Sequence, residues 1–474
     1  MAPKLFRNAT IISFDEDAQS IKVLRDTDVL VKNDTIAAIE KDIQSPDEAE
    51  VVDATNKILS PGFIDTHTHL WQTALRTLAP DTTLAEYFSS YSHYSPLSAS
   101  FSPEDLYIST LAGILEALNG GTTTLLEHAH NNWSVDAVKR GYDAGVQSGA
   151  RMWWCCAAEH RNGITDEEML EALGQRHRSG NEGGLMELGL AWDGMGTQSE
   201  EEVERVKGLV RKHDLKALTL HHLGSPWPFD NSPSLAASPP KSLQSLNLPT
   251  IFSHAGFATP ADISALRKHN WHLSITPESE LHYGHGQQTS RLVQDQASLG
   301  IDTSFTFSGD LLTQARIWLQ TARGTEYNRA LGTGKIPDRN PMKVEEAFLL
   351  ATRQGALALR REDLGVLRVG AKADIVCFSG EAPNMAGWSD PVAAVILHAN
   401  VGDVRDVMVG GEWRKREGEL MLKEGTWKAF REGFVEVARR VQRENERPQA
   451  LGEKFMGVGE WADVEIMGTR RREG

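Results

Sequence analysis

The chain has 474 residues, 40% of them hydrophobic and 24% charged, with a formal net charge of −16. This composition suits a soluble globular protein with a large core. The negative balance excludes nucleic acid or an anionic membrane as the main partner, because both need clustered Lys and Arg, and no apolar window is long enough to span a bilayer.

The cysteines Cys155, Cys156 and Cys377 form neither a CxxC pair nor an even framework. Met1 to Phe14 lacks the continuous apolar run of a signal peptide, so the chain reads as cytoplasmic. The run Arg470-Arg471-Arg472 reads as solvated tail.

Residues 1–57 alternate apolar and polar positions between turn residues such as Asn33-Asp34, the texture of β-hairpins. The same texture returns in 365–378 and 404–414. One small β-domain assembled from both termini is expected, over 1–57 plus 362–420.

The middle, 58–361, alternates strands with helices, which argues for parallel β/α units. Strand one runs from Ile58 and ends at the histidines of Pro61-Gly62-Phe63-Ile64-Asp65-Thr66-His67-Thr68-His69. Alternation puts His67 and His69 on one side, half of a metal site. Ser102-Pro103 starts a helix with Leu111, Ile114, Leu115 and Leu118 on one face, and Gly120-Gly121 stops it. Strands two to eight follow at 122–127, 151–158, 187–192, 217–221, 249–254, 271–276 and 299–302. The fold class is therefore α/β: a (β/α)8 TIM barrel with a small β-sandwich domain built from both termini. A helix is expected over 342–359. In the C-terminal segment 421–474, Trp427, Phe430, Phe434, Val437 and Val441 recur at helical spacing as a packing face for the barrel or a second subunit. The Pro-rich loop 224–240, after strand five, reads as a lid or a connector.

In such a barrel the C-terminal strand ends carry the chemistry. Strand five ends in Thr219-Leu220-His221-His222, of which one histidine can face inward. His221 is preferred because Thr219 then faces the barrel and Leu220 the helices, with His222 as the alternative. Strand six ends at His254 and strand eight at Asp302. Singly, His254 reads equally as a core histidine and Asp302 as a cap. Together with His67 and His69 they suit one divalent metal ion, Zn²⁺ or alternatively Fe²⁺.

These stretches, with Gly120-Gly121-Thr122-Thr123-Thr124, Thr276-Pro277-Glu278-Ser279, Leu299-Gly300-Ile301-Asp302 and Gly370-Ala371-Lys372-Ala373-Asp374, resemble the amidohydrolase superfamily. The resemblance is to the branch of cytosine deaminase, guanine deaminase, S-adenosylhomocysteine deaminase and atrazine chlorohydrolase. It implies an ion held by His67, His69, His221 and Asp302, which acidifies a water to a pKa of about 7. Asp302 would take the water proton, and His254 would polarise the reacting group or contact substrate. Strand four ends in Trp192-Asp193 without the lysine of two-metal relatives, which points to a single ion.

The family's proton-shuttling glutamate, three residues after the strand-five histidine, is Gly224 here. Glu280 is therefore a second candidate acid, or a loop surface residue. Trp71 and Gln72 follow the first ligands and are candidate substrate contacts by stacking and edge hydrogen bonds, with loop packing as the alternative. His93, His282 and His285 lie near the rim without an assigned role. The expected activity is metal-dependent hydrolysis of a non-peptide C–N bond in a small heterocyclic substrate, deaminase-like, by a homo-oligomer. The alternative is amide, lactam or C–Cl hydrolysis, or decarboxylation, on the same site. A non-catalytic scaffold is the third reading.

Overall fold

The computed structural model describes residues 2–158, 163–181, 184–193, 199–227, 234–235, 243–422 and 424–468. Most of the expected lid and the Arg470–Arg472 run lie outside the described residues.

Two sheets organise the chain. The terminal sheet is formed by β1 (Lys4–Asp15), β2 (Ser20–Lys32), β3 (Thr35–Glu40), β4 (Glu50–Asp53) and β5 (Lys57–Pro61) from the N-terminal end. The barrel strands follow: β6 (Phe63–Thr68), β7 (Thr122–Ala129), β8 (Arg151–Ala157), β9 (Met186–Ala191), β10 (Leu218–His222), β11 (Thr250–His254), β12 (His272–Ile275) and β13 (Ala297–Leu299). The terminal sheet is completed by β14 (Ile375–Ser379), β15 (Val404–Val409), β16 (Glu412–Arg416) and β17 (Glu419–Leu420).

The eight barrel strands are parallel neighbours in chain order. A bridge between Thr68 and Asp302 closes the ring: the Asp302 N–H donates to the His67 carbonyl at 2.8 Å, and the His69 N–H to the Asp302 carbonyl at 2.6 Å. The fold is thus an α/β barrel of the TIM type. Its terminal β-domain is a single mixed sheet of nine strands in which β5 lies between β1 and β14.

The apolar run from Ile58 to Ile64, expected as one barrel strand, divides at Gly62. Lys57–Pro61 pairs with β14 in the terminal sheet, and Phe63 pairs with Thr122 in the barrel. The crossing needs glycine, because a Cβ at position 62 would lie 2.0 Å from the Thr123 hydroxyl oxygen. The other barrel strands lie where expected apart from their terminal residues, except the last, Ala297–Leu299, which shares only Leu299 with the expected 299–302. The last stops at Leu299 and leaves Asp302 beyond its end.

The helix Pro103–Asn119 begins at a Ser102/Asp105 capping box, with the Asp105 N–H donating to the Ser102 hydroxyl at 3.2 Å. The expected helix 342–359 is two helices, Val344–Ala351 and Arg353–Ala358. They part at Thr352, whose φ of −129° and ψ of −92° are not helical.

The helix Trp427–Glu444 lays Phe434, Val437, Ala438 and Val441 against Trp71, Leu75, Tyr91 and Phe305 beside the first ligand loop. The Gln442 amide donates to the carbonyls of Ala74 and Arg76, at 3.0 Å each. This apolar stripe therefore packs on the barrel. No helix among the described residues is long and apolar enough to cross a membrane.

Candidate metal centre and cavity

Strand alternation turns His67 and His69 inward from the end of β6 and the residue beyond it, and β10 contributes His221. Asp302 reaches the same point through a left-handed backbone, φ +71°. His254, at the end of β11, has φ +73°. Both are conformations that non-glycine residues rarely adopt and that cluster at functional sites.

Each of the three histidines is held at Nδ1. His67 Nδ1 lies 2.7 Å from the Ser253 hydroxyl oxygen, His69 Nδ1 2.9 Å from the His128 carbonyl oxygen, and His221 Nδ1 2.8 Å from Asp193 Oδ2. For His69 and His221 the partner is an acceptor, so each carries its proton on Nδ1 and a bare lone pair on Nε2. Those two Nε2 atoms face each other at 3.1 Å. Asp302 Oδ1 lies 3.3 Å from both His67 Nε2 and His69 Nε2.

Two lone pairs and a carboxylate meeting at that distance repel unless a cation sits among them. Donor atoms spaced like these match tetrahedral ligation, where ligands at about 2.1 Å from one centre lie about 3.4 Å apart. The four residues fit a divalent ion, and all four ligand atoms lie within 4.8 Å of one another. His222 turns away and packs its ring on Phe252.

The surroundings orient these ligands. Asp193, at the end of the fourth barrel strand, also accepts the His221 backbone N–H at 2.7 Å, and His128 Nε2 lies 3.5 Å from its Oδ2. Asp302 Oδ2 accepts the Ser279 hydroxyl. Burial pushes the Asp302 carboxyl up, but contacts with His67, His69 and His254 outweigh it and hold the group well below the usual carboxylate range. Burial drives His67 well below the ordinary imidazole value and His254 down to about 3. Both are therefore neutral at pH 7.

A cavity of about 290 Å³ opens on this centre. It is lined by His69, His93, His130, His221, His254, His285, Asp193 and Asp302, and by the apolar and aromatic side chains of Leu84, Tyr87, Phe88, Tyr94, Leu223, Tyr283 and Met456. Of the residues singled out in the sequence, His69, His221, Asp302, His254, His93 and His285 line this cavity, His254 with Nδ1 2.9 Å from Thr276 Oγ1.

Glu280 is buried, not a surface residue. Its Oε1 accepts the Thr276 N–H at 3.0 Å and lies 3.7 Å from His254 Nδ1, and its Oε2 accepts from Gln287 at 2.9 Å. Burial pushes its carboxyl up to about 7. It stands behind His254 and does not line the cavity.

Trp71 and Gln72 do not line the cavity either. A 3-10 helix, Leu70–Leu75, begins directly after His69 and rotates both side chains into packing. The Trp71 indole N–H donates to His130 Nδ1 at 3.0 Å, and the Gln72 amide donates to the Tyr87 hydroxyl at 2.8 Å. Both residues thus contact neighbours that do line it. Gly224 has φ +76°, and a Cβ there would contact Phe257 and His222.

His128 and His130 join the site without having been expected there, and Asp193, expected only as a strand end, holds a ligand. The signal was present: Glu127-His128-Ala129-His130 is a second His-x-His at the end of a barrel strand.

A parallel barrel whose strand ends converge three imidazoles and a carboxylate on one point is the architecture of a metal-dependent hydrolase. The model of the amidohydrolase family matches residues 58–414, and the chain belongs to that family, hydrolases of C–N bonds other than peptide bonds. It is 25% identical over 411 residues to 5-methylthioadenosine/S-adenosylhomocysteine deaminase of Dictyoglomus turgidum, covering 84% of this chain and 92% of that one. Its fold is similar to that of an adenosine deaminase from Xanthomonas campestris with bound zinc (TM-score 0.77, 22% identity, 93% and 99% of the two chains). It is also similar to a variant of atrazine chlorohydrolase from Arthrobacter aurescens in complex with zinc and atraton (TM-score 0.75, 20% identity, 92% and 100%).

Proposed function

We propose that the protein is a zinc-dependent deaminase of a small aminated heterocycle. The observation that carries this reading is the pair of Nε2 lone pairs of His69 and His221 facing each other at 3.1 Å beside Asp302. Zinc is favoured over Fe²⁺ by the imidazole-rich donor set and by the zinc bound in the similar structures. When bound, the ion supplies a water acidified to a pKa of about 7.

The chain's own residues then divide the remaining work. Asp302, its Oδ2 anchored by Ser279, accepts the proton of the attacking water. Neutral His254, with Nδ1 engaged by Thr276, turns its other ring edge to the reacting group. Glu280 is a positioning residue, acting on His254 directly and through Thr276. The aromatic lining of the cavity, Tyr87, Phe88, Tyr94 and Tyr283, suits a planar ring. The deaminase named among the relatives supports an adenine-type substrate. Cys155, Cys156 and Cys377 are buried and outside any disulfide, which supports a cytoplasmic setting.

A second reading, amide, lactam or C–Cl hydrolysis or decarboxylation, is favoured by Gly224, which leaves the family's shuttle position without a carboxylate. The zinc-loaded protein, screened against aminated purines, pyrimidines, pterins and triazines, is expected to release ammonia. Release of an acid, halide or carbon dioxide instead would establish the second reading.

A further inference from the structure

We propose that Trp71 fixes His130 as its Nε2–H tautomer, so that His130 offers one aimed hydrogen-bond donor to an acceptor atom of the substrate. An indole nitrogen only donates. With Trp71 Nε1 3.0 Å from His130 Nδ1, that ring nitrogen must be the acceptor and carries no proton. The imidazole therefore bears its proton on Nε2. An imidazolium, protonated on both nitrogens, would set two hydrogens against each other.

The ring has no freedom to present any other edge. It is stacked between His69 and His93, at 3.9 Å from each, with interplanar angles of 15° and 12°. Trp71 is itself fully buried and boxed edge-on by Phe101 and Trp133 at 5.4 and 5.1 Å. A rigid donor, supported by a buried second layer, is how a site discriminates by hydrogen bonding.

His130 stacks on His69, His254 stands edge-on to His67, and both line the cavity. The assignment rests on the deaminase reading and sharpens it. The substrate is an aminated heterocycle that also carries a hydrogen-bond acceptor, a carbonyl oxygen or an unprotonated ring nitrogen, within reach of His130.

The test uses full-length, zinc-loaded protein labelled with ¹⁵N-histidine. A long-range ¹H–¹⁵N spectrum, with the His130 signals assigned by their loss in His130→Phe, is expected to show the Nε2–H pattern. Trp71→Phe is expected to shift it toward a mixture with Nδ1–H, a change that lost packing alone does not produce. On adenosine or 5′-methylthioadenosine, His130→Phe, which keeps the stack, is expected to lower kcat/KM at least about tenfold with unchanged zinc content. His130→Gln, which keeps an N–H, recovers part of that loss and serves if the Phe variant folds poorly. An Nδ1–H or imidazolium pattern in the parent, or both His130 variants within twofold of parental kcat/KM, would overturn the proposal. Failure of the deaminase reading looks different: the parent itself releases no ammonia, and the tautomer measurement still decides.

Discussion

Asp193 grips His221 at two atoms, accepting the backbone N–H on Oδ1 at 2.7 Å and the ring Nδ1–H on Oδ2 at 2.8 Å. The carboxylate thereby sets both the position and the tautomer of a metal ligand. Asp193→Asn keeps the shape but replaces one acceptor oxygen by a donor. Divalent-ion affinity is expected to fall about 10- to 100-fold, measured by competition against a chromophoric chelator. Unchanged affinity would mean that His221 needs no such support.

Removing the ion leaves buried lone pairs of His69 and His221 face to face. A chelator is therefore expected to abolish activity and lower the melting temperature, and added zinc to restore both. At a free ion concentration 100 times Kd the stabilisation is about 2.7 kcal/mol. His67→Ala is expected to lose the chelator response. A melting temperature indifferent to chelator would contradict the centre.

Glu280 makes stability depend on pH. Its folded-state carboxyl titrates near 7, raised by burial from an ordinary value of 4.5. Between those values the folded chain holds a proton that the unfolded chain has released, so this group's contribution to stability falls as pH rises and levels off above 7. The span corresponds to about 3 kcal/mol. Buried neutral His254, shifted down to about 3, works in the opposite sense below its ordinary value of 6.5. The comparison is therefore parent against Glu280→Gln. Urea midpoints at pH 5 and pH 7.5 are expected to show the variant gaining stability relative to the parent at the higher pH. A pH-independent difference between the two would refute the shift.

Val441, fully buried, joins the C-terminal helix to the Trp71 cluster. Val441→Ala is expected to cost about 2 kcal/mol in urea unfolding, with little change in zinc content, because the helix supports the ligand loop without touching the ligands. A loss below about 0.5 kcal/mol, the usual range for surface substitutions, would show that the helix is not anchored there.

The sequence made the barrel and three of the four ligands legible for one physical reason. Short apolar runs with Gly or Pro boundaries mark strands, and alternation from a known strand end predicts which side chains meet. That logic chose His221 over His222. It does not reach Asp302 or His254 with the same force: Asp302 lies beyond the end of its strand, and both residues have positive φ, where alternation no longer applies. It failed for Trp71 and Gln72 because the backbone turns into a 3-10 helix at once after His69. His128 and His130 were missed by ending their strand at Glu127, two residues before its last, Ala129. Asp193, Ser253 and Ser279, which hold the ligands, stand at strand ends or inside the Thr276-Pro277-Glu278-Ser279 motif, but nothing local says which ligand each one meets. These are ordinary polar residues made specific only by what folds against them.

The placing of β5 between β1 and β14 has a consequence for biosynthesis. The ribosome delivers β5 and the first barrel strand early, whereas β14 emerges only after the whole barrel has been translated. Throughout that interval one edge of β5 lacks its native neighbour, and an open strand edge recruits foreign strands. Nascent chains stalled between Asp302 and residue 375 should therefore depend on chaperones more heavily than chains released after residue 420, although both contain every metal ligand.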